Sequence, residues 1–363
     1  MGWGGAMVDS NLVANRSVTS AFQTGAMLPQ LGDSKWPLFD YFPKLHPRIS
    51  AINLCALPTP VEHIDLMGEN AWVKRDDLSH PIYGGNKTRK FEFIIPGVLA
   101  AGADHIYTIG GTGTNHGVAT AMVCQQLGLK STVITFNQPE SSFVQKNQSL
   151  MRHFGAKVIN SGSIFSAARR FYLNPRRLNT GYYFLPGGGA TAAATFAYIN
   201  AALELKQQID NGECPEPAEI YVPVGSSSTL AGLTLGCVIA GMKTKVIGIQ
   251  IMQSHIGPLD ICTASVGNKM MEQALAIISD EYPHHRVTLP SVILNPNWYA
   301  PGYGVETDPT KRAIDKGKDV GLSLEQTYSG KTFHAFTQAI NTTGKPILYW
   351  ATYSSSSNPP GLI

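Results

Sequence analysis

A lysine that directly follows two glycines and an asparagine is the first group in this sequence that could do chemistry. The stretch "YGGNKTRK", residues 83–90, puts Lys87 just before a predicted helix over 88–101. Glycine lets the backbone take a positive φ or approach a ligand closely. A lysine is usually a solvated side chain, and the dipole of a helix slightly disfavours a cation at its start. Lys87 is therefore either a surface residue or an amine that the turn presents for function.

A second polar turn, "GGTGTNHG" at 110–117, follows a predicted strand and opens the next helix. The free N–H groups at a helix start bind anions, and Thr114, Asn115 and His116 add further polar groups. A glycine-rich turn with a threonine or asparagine as N-cap is the structural alternative. His116 alone is more often a helix-start residue than a catalyst.

A third turn, "PVGSSSTLAGL" at 223–233, has the composition of a phosphate-binding loop. Gly225 is followed by four hydroxyl residues and then by an apolar helix; the four are Ser226, Ser227, Ser228 and Thr229. N–H groups, hydroxyls and the helix dipole would converge on one point there. The loop lacks the GK[ST] of a Walker motif and the GxGxxG of a dinucleotide site. A serine N-cap explains one of these hydroxyls but not four.

Two tyrosines and a threonine complete the set. Tyr303 in "APGYGVET" and Tyr328 in "EQTYSGKTF" each stand beside a turn at the start of a helical pattern, and Thr352 ends the last predicted strand. Taken singly, each is a turn residue. Taken together, they would supply hydroxyls to one cleft.

The elements that must position these residues alternate between strands and helices. Apolar, β-branched runs predict strands at 71–76, 105–111, 131–136, 156–161, 182–187, 219–225, 245–251 and 346–352. Helical patterns between them cover about 88–101, 115–128, 140–154, 190–211, 228–242, 268–281, 307–321 and 331–341. This alternation predicts an α/β protein with open, mostly parallel twisted sheets and helices on both faces. Ligands of such sheets bind beyond the carboxyl ends of the strands, where the polar turns lie.

The domain organisation is predicted as one domain inserted in another. We expect a small inserted domain over 88–189 and a large cofactor-binding domain from 1–87 and 190–363, with the ligand in the cleft between them. Residues 1–35 and 354–363 have the composition of flexible ends. The arginine-rich stretch 169–177 fits a solvated helix end and loop better than a polyanion site.

Composition narrows the class of protein. The 363 residues are 43% hydrophobic and 15% charged, which suits a folded core, and the net charge of +3 is too small to indicate nucleic-acid binding. The five cysteines have no metal-ligand spacing, so neither a structural zinc site nor a disulfide framework is expected. Without a long apolar run or a signal-peptide pattern, the sequence predicts a cytoplasmic protein that does not bind membranes.

In this order the motifs resemble those of pyridoxal-phosphate enzymes with the tryptophan synthase β-subunit fold (fold type II). Within that group the sequence is most similar to the D-cysteine desulfhydrase and 1-aminocyclopropane-1-carboxylate (ACC) deaminase family. The resemblance runs from "LPTPVE" at 57–62 through "YGGNKTRKFEF", "TNHG", "PVGSSSTLAGLTLG", "GYG" and "TYSGKTF" to the strand at 346–352. Although each motif alone is unspecific, the combination is specific for this family.

The resemblance implies a role for each candidate residue. Lys87 would hold pyridoxal phosphate covalently, and Asn115 would bind its ring oxygen. The loop residues Gly225, Ser226, Ser227, Ser228 and Thr229 would bind the phosphate. Thr114, Asn115 and His116 would bind the substrate carboxylate, and Tyr303 and Tyr328 would flank the reacting carbons. Ser329 and Thr352 would lie near the ring nitrogen, and we expect a small amino acid as substrate and a homodimer.

The sequence departs from the family pattern at several positions. Thr114 replaces the usual serine, Val118 replaces the usual arginine, and "ATYS" stands in place of "HTGG" at the end of the last strand. ACC deaminases have a glutamate where this chain has Ser329, and the desulfhydrases share His116. A neutral group beside the ring nitrogen makes the cofactor a weaker electron sink, which suffices to eliminate a thiolate.

We therefore expect β-elimination of a D-amino acid, with D-cysteine giving pyruvate, ammonia and hydrogen sulfide. ACC-type ring opening to 2-oxobutyrate and ammonia is the first alternative. A synthase or racemase on the same fold and a non-catalytic relative that binds the cofactor also stay open. The altered strand end favours the last of these.

Overall fold

Two separate sheets organise the chain. The computed structural model describes residues 36–356. The larger sheet has six strands in the spatial order β1-β2-β12-β7-β8-β11, and the smaller has four in the order β5-β4-β3-β6. The ladders of the smaller sheet are all parallel, and in the larger sheet the β1–β2 pair is antiparallel. The expected α/β class with mostly parallel sheets is confirmed.

The strands within the described range are β1 (Val61–His63), β2 (Ala71–Lys74), β3 (His105–Gly111), β4 (Lys130–Phe136), β5 (Lys157–Asn160), β6 (Tyr182–Phe184), β7 (Glu219–Val224), β8 (Lys245–Gln250), β9 (His255–Ile256), β10 (Leu259–Asp260), β11 (Ile293–Asn295) and β12 (Ile347–Trp350). The helices are α1 (Pro37–Tyr41), α2 (Asn86–Ala100), α3 (Asn115–Gln126), α4 (Ser142–His153), α5 (Ile164–Tyr172), α6 (Ala192–Asp210), α7 (Ser228–Ile239), α8 (Ala264–Glu281), α9 (Asp308–Asp319) and α10 (Ser329–Thr343). All eight predicted strands and all eight predicted helices are present, with shifted ends.

The sequence patterns missed several elements. The most consequential is α5, whose last turn carries Arg169 and Arg170; a solvated helix end and loop was expected at these arginines, but the helix itself was not predicted. Its Ala167 and Phe171 are fully buried against the smaller sheet. The strands β1 and β11 and the β9–β10 hairpin are two or three residues long, too short for a pattern to reveal.

The smaller sheet lies entirely within residues 88–189, the range predicted for an inserted domain. The boundaries of that domain stay a prediction. At the C-terminal end, the structure differs from the expected flexible segment over 354–363: Ser354 is buried and accepts a hydrogen bond from the backbone N–H of Gly84 at 3.0 Å. Residues 1–35 and 357–363 lie outside the described range.

Close backbone contacts explain why glycine occupies positions 84 and 85, shortly before Lys87. A β-carbon on Gly84 would lie 2.3 Å from the carbonyl oxygen of Asp77, and one on Gly85 would lie 2.4 Å from that of Thr352. Gly85 also has φ of 100°, which favours glycine. The Asn86 N–H donates to Thr352 O at 3.0 Å, so the start of α2 is fixed to the end of β12. The turn therefore places Lys87 at the carboxyl edge of the larger sheet.

A buried ionic cluster attaches α2 to the larger sheet and to α6. Arg89, two residues after Lys87, pairs with Asp76 at 2.7 Å and with Glu204 at 2.8 Å, and all three side chains are almost completely buried. Lys74 pairs with the same Glu204 at 2.6 Å. Burial acts to raise the pKa of Glu204, but Arg89 and Lys74 outweigh it and lower that pKa to about 2. The cluster fixes the helix that carries Lys87.

Candidate active site

Most of the predicted residues line one cavity of about 330 Å³ between the carboxyl edges of the two sheets. This volume lies in the range of small-molecule sites. Eleven predicted residues line it: Lys87, Thr114, Asn115, His116, Gly225, Ser226, Ser227, Thr229, Tyr303, Tyr328 and Thr352. Turns separated by more than 200 residues in the chain thus come together.

Lys87 lies between two turns of the cavity wall. A β-carbon on Gly188 would lie 3.7 Å from Lys87 Nζ and 2.6 Å from Ser226 Oγ, so the amine faces the point where the 187–189 turn meets the serine loop. Burial lowers the pKa of Lys87 to about 8, partly opposed by a hydrogen bond with Lys90. A substantial fraction of this amine is therefore neutral, and nucleophilic, near neutral pH.

Lys90 is a site residue that the sequence reasoning did not assign. Its Nζ donates to Ser228 Oγ at 2.9 Å and lines the same cavity. Burial, followed by the charge of Lys87, lowers the pKa of Lys90 well below its usual value. The spacing of three residues, which puts both lysines on one helix face, was the available indication.

The serine loop at the start of α7 has the features of an anion site. Ser227 has φ of 60°, and its buried Oγ has no hydrogen-bond partner. Ser226 Oγ donates to Gly188 O at 3.4 Å, and Thr229 Oγ1 accepts from Asn86 at 3.4 Å, both long bonds. The first N–H groups of a helix also lack partners within the helix. With two lysines adjacent, the loop fits a phosphate monoester.

Asn115 is oriented by two partners. Asn147 Nδ2 donates to the carbonyl oxygen of Gly113 and to Asn115 Oδ1, both at 2.8 Å. Because the carbonyl oxygen of Gly113 can only accept a hydrogen bond, the Asn147 atom that faces it must be the amide nitrogen. Tyr83 Oη donates to the same Asn115 Oδ1 at 3.0 Å. Both bonds occupy the oxygen, so the amide nitrogen of Asn115 is left to donate within the cavity.

Thr114 and His116 occupy the same turn in different ways. Thr114 Oγ1 accepts from the N–H of Gly117 at 3.2 Å and is the N-cap of α3. The His116 ring stacks on Phe91 with 5.8 Å between ring centroids, and neither ring nitrogen has a hydrogen-bond partner. Burial, then the two lysines, lowers its pKa well below the usual value. His116 is therefore neutral, with one donor and one acceptor available to a ligand.

The two tyrosines form a pair. Their hydroxyl oxygens are 3.0 Å apart, and their rings meet edge to face. Burial raises the pKa of Tyr303 to about 12, and burial, followed by the neighbouring Tyr303, raises the pKa of Tyr328 well above its usual value. Both hydroxyls are protonated near neutral pH, so they act as hydrogen-bond donors rather than as bases.

Two predicted site residues, Ser228 and Ser329, do not line the cavity. Ser228 Oγ accepts from Lys90, and its N–H bonds to Ser226 O. Ser329 Oγ accepts from the N–H of Glu325 at 2.7 Å and does not line the cavity. Ser329 sits at the first turn of α10, where a serine hydroxyl commonly bonds nearby backbone rather than a ligand.

The carboxylates near the cavity are occupied by other contacts. The Glu325 carboxylate accepts from the N–H groups of Thr327, Tyr328 and Ser329 at 2.6–2.9 Å, which directs it to the start of α10. Among the described cavity-lining residues the single carboxylate is Asp260, an exposed residue that pairs with His255 at 3.0 Å. The cavity floor is therefore cationic and hydroxyl-rich. No group of three potential ligands that could hold a metal ion occurs within 36–356.

No helix in the described part of the chain is both long and apolar enough to cross a membrane.

Known proteins match most of this chain. The family described as "Pyridoxal-phosphate dependent enzyme" matches residues 52–346. A D-cysteine desulfhydrase of Klebsiella pneumoniae is 28% identical over 308 residues, covering 81% of this chain and 89% of the relative. A nocardicin C-9' epimerase of Nocardia uniformis is 26% identical over 312 residues, covering 84% and 92%.

Solved structures show the same fold. An ACC deaminase homologue superposes with a TM-score of 0.73 at 24% identity, over 89% of this chain and 96% of that one. A pyridoxal 5'-phosphate-dependent aspartate racemase gives a TM-score of 0.59 at 16% identity, over 91% and 98%. At these identities the structural likeness establishes the fold.

Proposed function

Because this chain belongs to the family of pyridoxal-phosphate-dependent enzymes, we propose that it catalyses β-elimination and deamination of a small D-amino acid, with D-cysteine as the reference substrate. The overall reaction is D-cysteine plus water giving pyruvate, ammonium and hydrogen sulfide. When bound, pyridoxal phosphate supplies an electron sink for the carbanion charge at the substrate α-carbon. The residues of the chain bind, orient and move protons around it.

The absence of a carboxylate from the two positions expected near the ring nitrogen, Ser329 and Thr352, is the observation that carries this proposal. Just after β12 the cavity is lined by Thr352 and Tyr353, neither of which is acidic. The Glu325 carboxylate is held by three N–H groups at the start of α10. A carboxylate beside the ring nitrogen would favour its protonated form and strengthen the sink. A neutral hydroxyl does not, which favours departure of a good leaving group such as thiolate over the opening of a cyclopropane ring.

The binding roles follow from the contacts. Ser226, Ser227 and Thr229 with the first N–H groups of α7 would hold the cofactor phosphate, and the amide nitrogen of Asn115 would donate to its ring oxygen. Charge-assisted bonds of this kind are the strong ones, and Lys87 and Lys90 complement the negative charge.

The substrate carboxylate would bind at the start of α3. The N–H groups there, the hydroxyl of Thr114 and the neutral ring of His116 face the cavity. The negative carboxylate suits the positive end of the helix dipole.

Proton transfer would use Lys87, whose pKa of about 8 allows it both to accept and to release a proton near neutral pH. Tyr328 and Tyr303, protonated and hydrogen-bonded to each other, would donate towards the negative charge that develops on the leaving sulfur. A neutral thiol then departs into the open end of the cavity.

The experiment compares purified, cofactor-loaded enzyme with D-cysteine, L-cysteine and ACC, measuring pyruvate and 2-oxobutyrate separately. We expect pyruvate and sulfide from D-cysteine, and loss of product in Lys87→Ala. Production of 2-oxobutyrate from ACC as the faster reaction would replace elimination by ring opening. No product from any of the three, with cofactor bound, would favour a non-catalytic relative.

Racemisation is the second candidate, because an epimerase is among the similar proteins and the cavity holds both an amine of lowered pKa and a pair of protonated tyrosines. It predicts exchange of the α-proton with deuterium from solvent, and inversion seen by chiral chromatography, without pyruvate. We further expect a cytoplasmic homodimer, which sedimentation of the purified protein would test for its oligomeric state.

A further inference from the structure

Tyr303 lies on a connection between β11 and α9, residues 296–307, that contains neither helix nor strand. Within the described range, the backbone hydrogen bonds between residues 296 and 305 each close a single local turn, at 3.1 and 3.4 Å. Such turns do not fix where the connection lies relative to the rest of the fold. The 3.0 Å contact between the hydroxyls of Tyr303 and Tyr328 must therefore depend on side chains that hold this connection from outside.

One such side chain is Lys331 of α10. Its Nζ donates to the carbonyl oxygen of Tyr299 at 3.0 Å and to that of Gly302 at 2.9 Å. The residue is only 2% exposed, although a lysine is almost never this deeply buried. Burying an ammonium is costly unless it is hydrogen-bonded, and both acceptors here are backbone carbonyls rather than carboxylates. The contacts of Lys331 thus fix the backbone that immediately precedes Tyr303.

The backbone that follows Tyr303 is held by the same part of the chain. Gln326 is 8% exposed, and its Nε2 donates to the carbonyl oxygen of Gly304 at 3.0 Å. The segment 325–331 therefore binds carbonyl groups on both sides of Tyr303. It also carries Tyr328, the hydrogen-bond partner of the Tyr303 hydroxyl.

We propose that Lys331 is a positioning residue of this enzyme, which holds the Tyr303 hydroxyl against that of Tyr328 so that the pair can donate to the substrate. The inference rests on the proposed function, in which the two tyrosines donate towards the leaving sulfur. Lys331 does not line the cavity, so it acts through Tyr303 and not on the substrate. Misplacing a reacting group by about 1 Å can cost about 100-fold in rate.

The first test is Lys331→Met, which keeps a long apolar side chain and removes the ammonium. With the holoenzyme and D-cysteine, kcat should fall about 100-fold while KM changes less than about threefold, because the groups that bind the substrate are untouched. Lys345→Met, at an exposed lysine beyond the end of α10, is the matched control and should keep the wild-type kcat. A normal kcat in Lys331→Met would overturn the inference.

A double variant separates positioning from general destabilisation. If Lys331 acts through the Tyr303 hydroxyl, then Lys331→Met should cost less than about threefold in kcat once Tyr303→Phe has removed that hydroxyl. An equal loss in the two backgrounds would assign the effect to the fold as a whole and overturn the inference.

A second readout needs no turnover. Tetranitromethane nitrates the tyrosinate form, and burial raises the pKa of Tyr303 to about 12, so Tyr303 of the wild-type holoenzyme should react slowly at pH 8. In Lys331→Met the released connection admits water, and nitration of Tyr303 should be at least about tenfold faster. Peptide mapping by mass spectrometry measures it, with the exposed Tyr41 as internal reference. Unchanged nitration overturns the inference. Faster nitration in an enzyme whose wild type turns over neither cysteine enantiomer nor ACC leaves the contact standing and refutes the proposed function instead.

Chemical rescue tests the ammonium itself. Lys331→Ala removes the side chain from Cγ to Nζ, and n-propylammonium has the same atoms. Added n-propylammonium should restore most of the lost kcat and the slow nitration of Tyr303, whereas n-propanol, which has a similar shape and no charge, should restore neither. Equal recovery with both compounds, or recovery with neither, would overturn the role assigned to the ammonium of Lys331.

Discussion

The lowered pKa of Lys87 is the feature of the site that can be measured most directly on the amine itself. A lysine with a pKa of 10.5 has about 1 neutral amine in 3,000 at pH 7, whereas Lys87 with a pKa of about 8 has about 1 in 10. Since only the neutral amine is nucleophilic, Lys87 should react about 300-fold faster than a solvated lysine at equal access. The reaction rate should rise with pH and level off above about pH 8.

The assay is competitive acetylation of the cofactor-free protein with a trace of labelled acetic anhydride between pH 6 and 11. Mass spectrometry of the digest gives the labelling of each lysine, and the exposed lysines serve as the internal reference. Burial lowers the pKa because it disfavours the ammonium, so the midpoint for Lys87 must lie below that of the reference. A midpoint for Lys87 near 10.5 would refute the reasoning, because it would mean that the amine is fully solvated.

Three further variants test the contacts that bind the cofactor and the buried ionic cluster around Arg89. Asn147→Ala should weaken pyridoxal phosphate binding about tenfold, seen by fluorescence titration, because it releases the amide of Asn115; unchanged affinity would remove this orienting role. Ser226→Ala combined with Thr229→Ala should cost about 1.5–3 kcal/mol of cofactor binding per charge-assisted bond lost, measured by equilibrium dialysis; a normal affinity would move the phosphate elsewhere. Arg89→Met should lower the free energy of unfolding in urea at pH 7 by about 3–5 kcal/mol, since it removes the ion-pair partner of the buried Asp76 and leaves Glu204 with Lys74 alone; a loss below 1 kcal/mol would contradict the structural role of the cluster.

The pH dependence of stability follows from the same cluster. The pKa of Glu204 is lowered from 4.5 to about 2 in the folded protein, so its ionised form stabilises the fold above about pH 4.5. That contribution is lost as the pH falls from about 4.5 to about 2. Urea unfolding across this pH interval should show a falling free energy of unfolding in the wild type. In Glu204→Gln the fall should be smaller, because this variant lacks the ionised carboxylate and is less stable from the start.

The sequence predicted the parts of the site that depend on local chemistry. Lys87 was singled out by the two glycines that shortly precede it, and the family resemblance gave it a role. The structure explains those glycines by close backbone approaches to Asp77 and Thr352. The serine loop was recognisable because a helix start with several hydroxyls has few structural explanations.

What could not be predicted depends on contacts distant in sequence. The orientation of Asn115 is set by Tyr83 and Asn147, each 32 residues away along the chain. The direction of Ser329 depended on a competition with the backbone at the start of α10, which spacing alone does not decide. The helix α5 was missed because its arginines and exposed apolar residues obscure a core face of two residues.

The central claim is that Lys87 is the amine that carries pyridoxal phosphate. The decisive measurement is reduction of the reconstituted enzyme with borohydride, followed by peptide mapping by mass spectrometry. We expect the phosphopyridoxyl group on Lys87 and none on Lys90, which lies three residues later and lines the same cavity. A label on Lys90 or on any other lysine, with Lys87 unmodified, would contradict it.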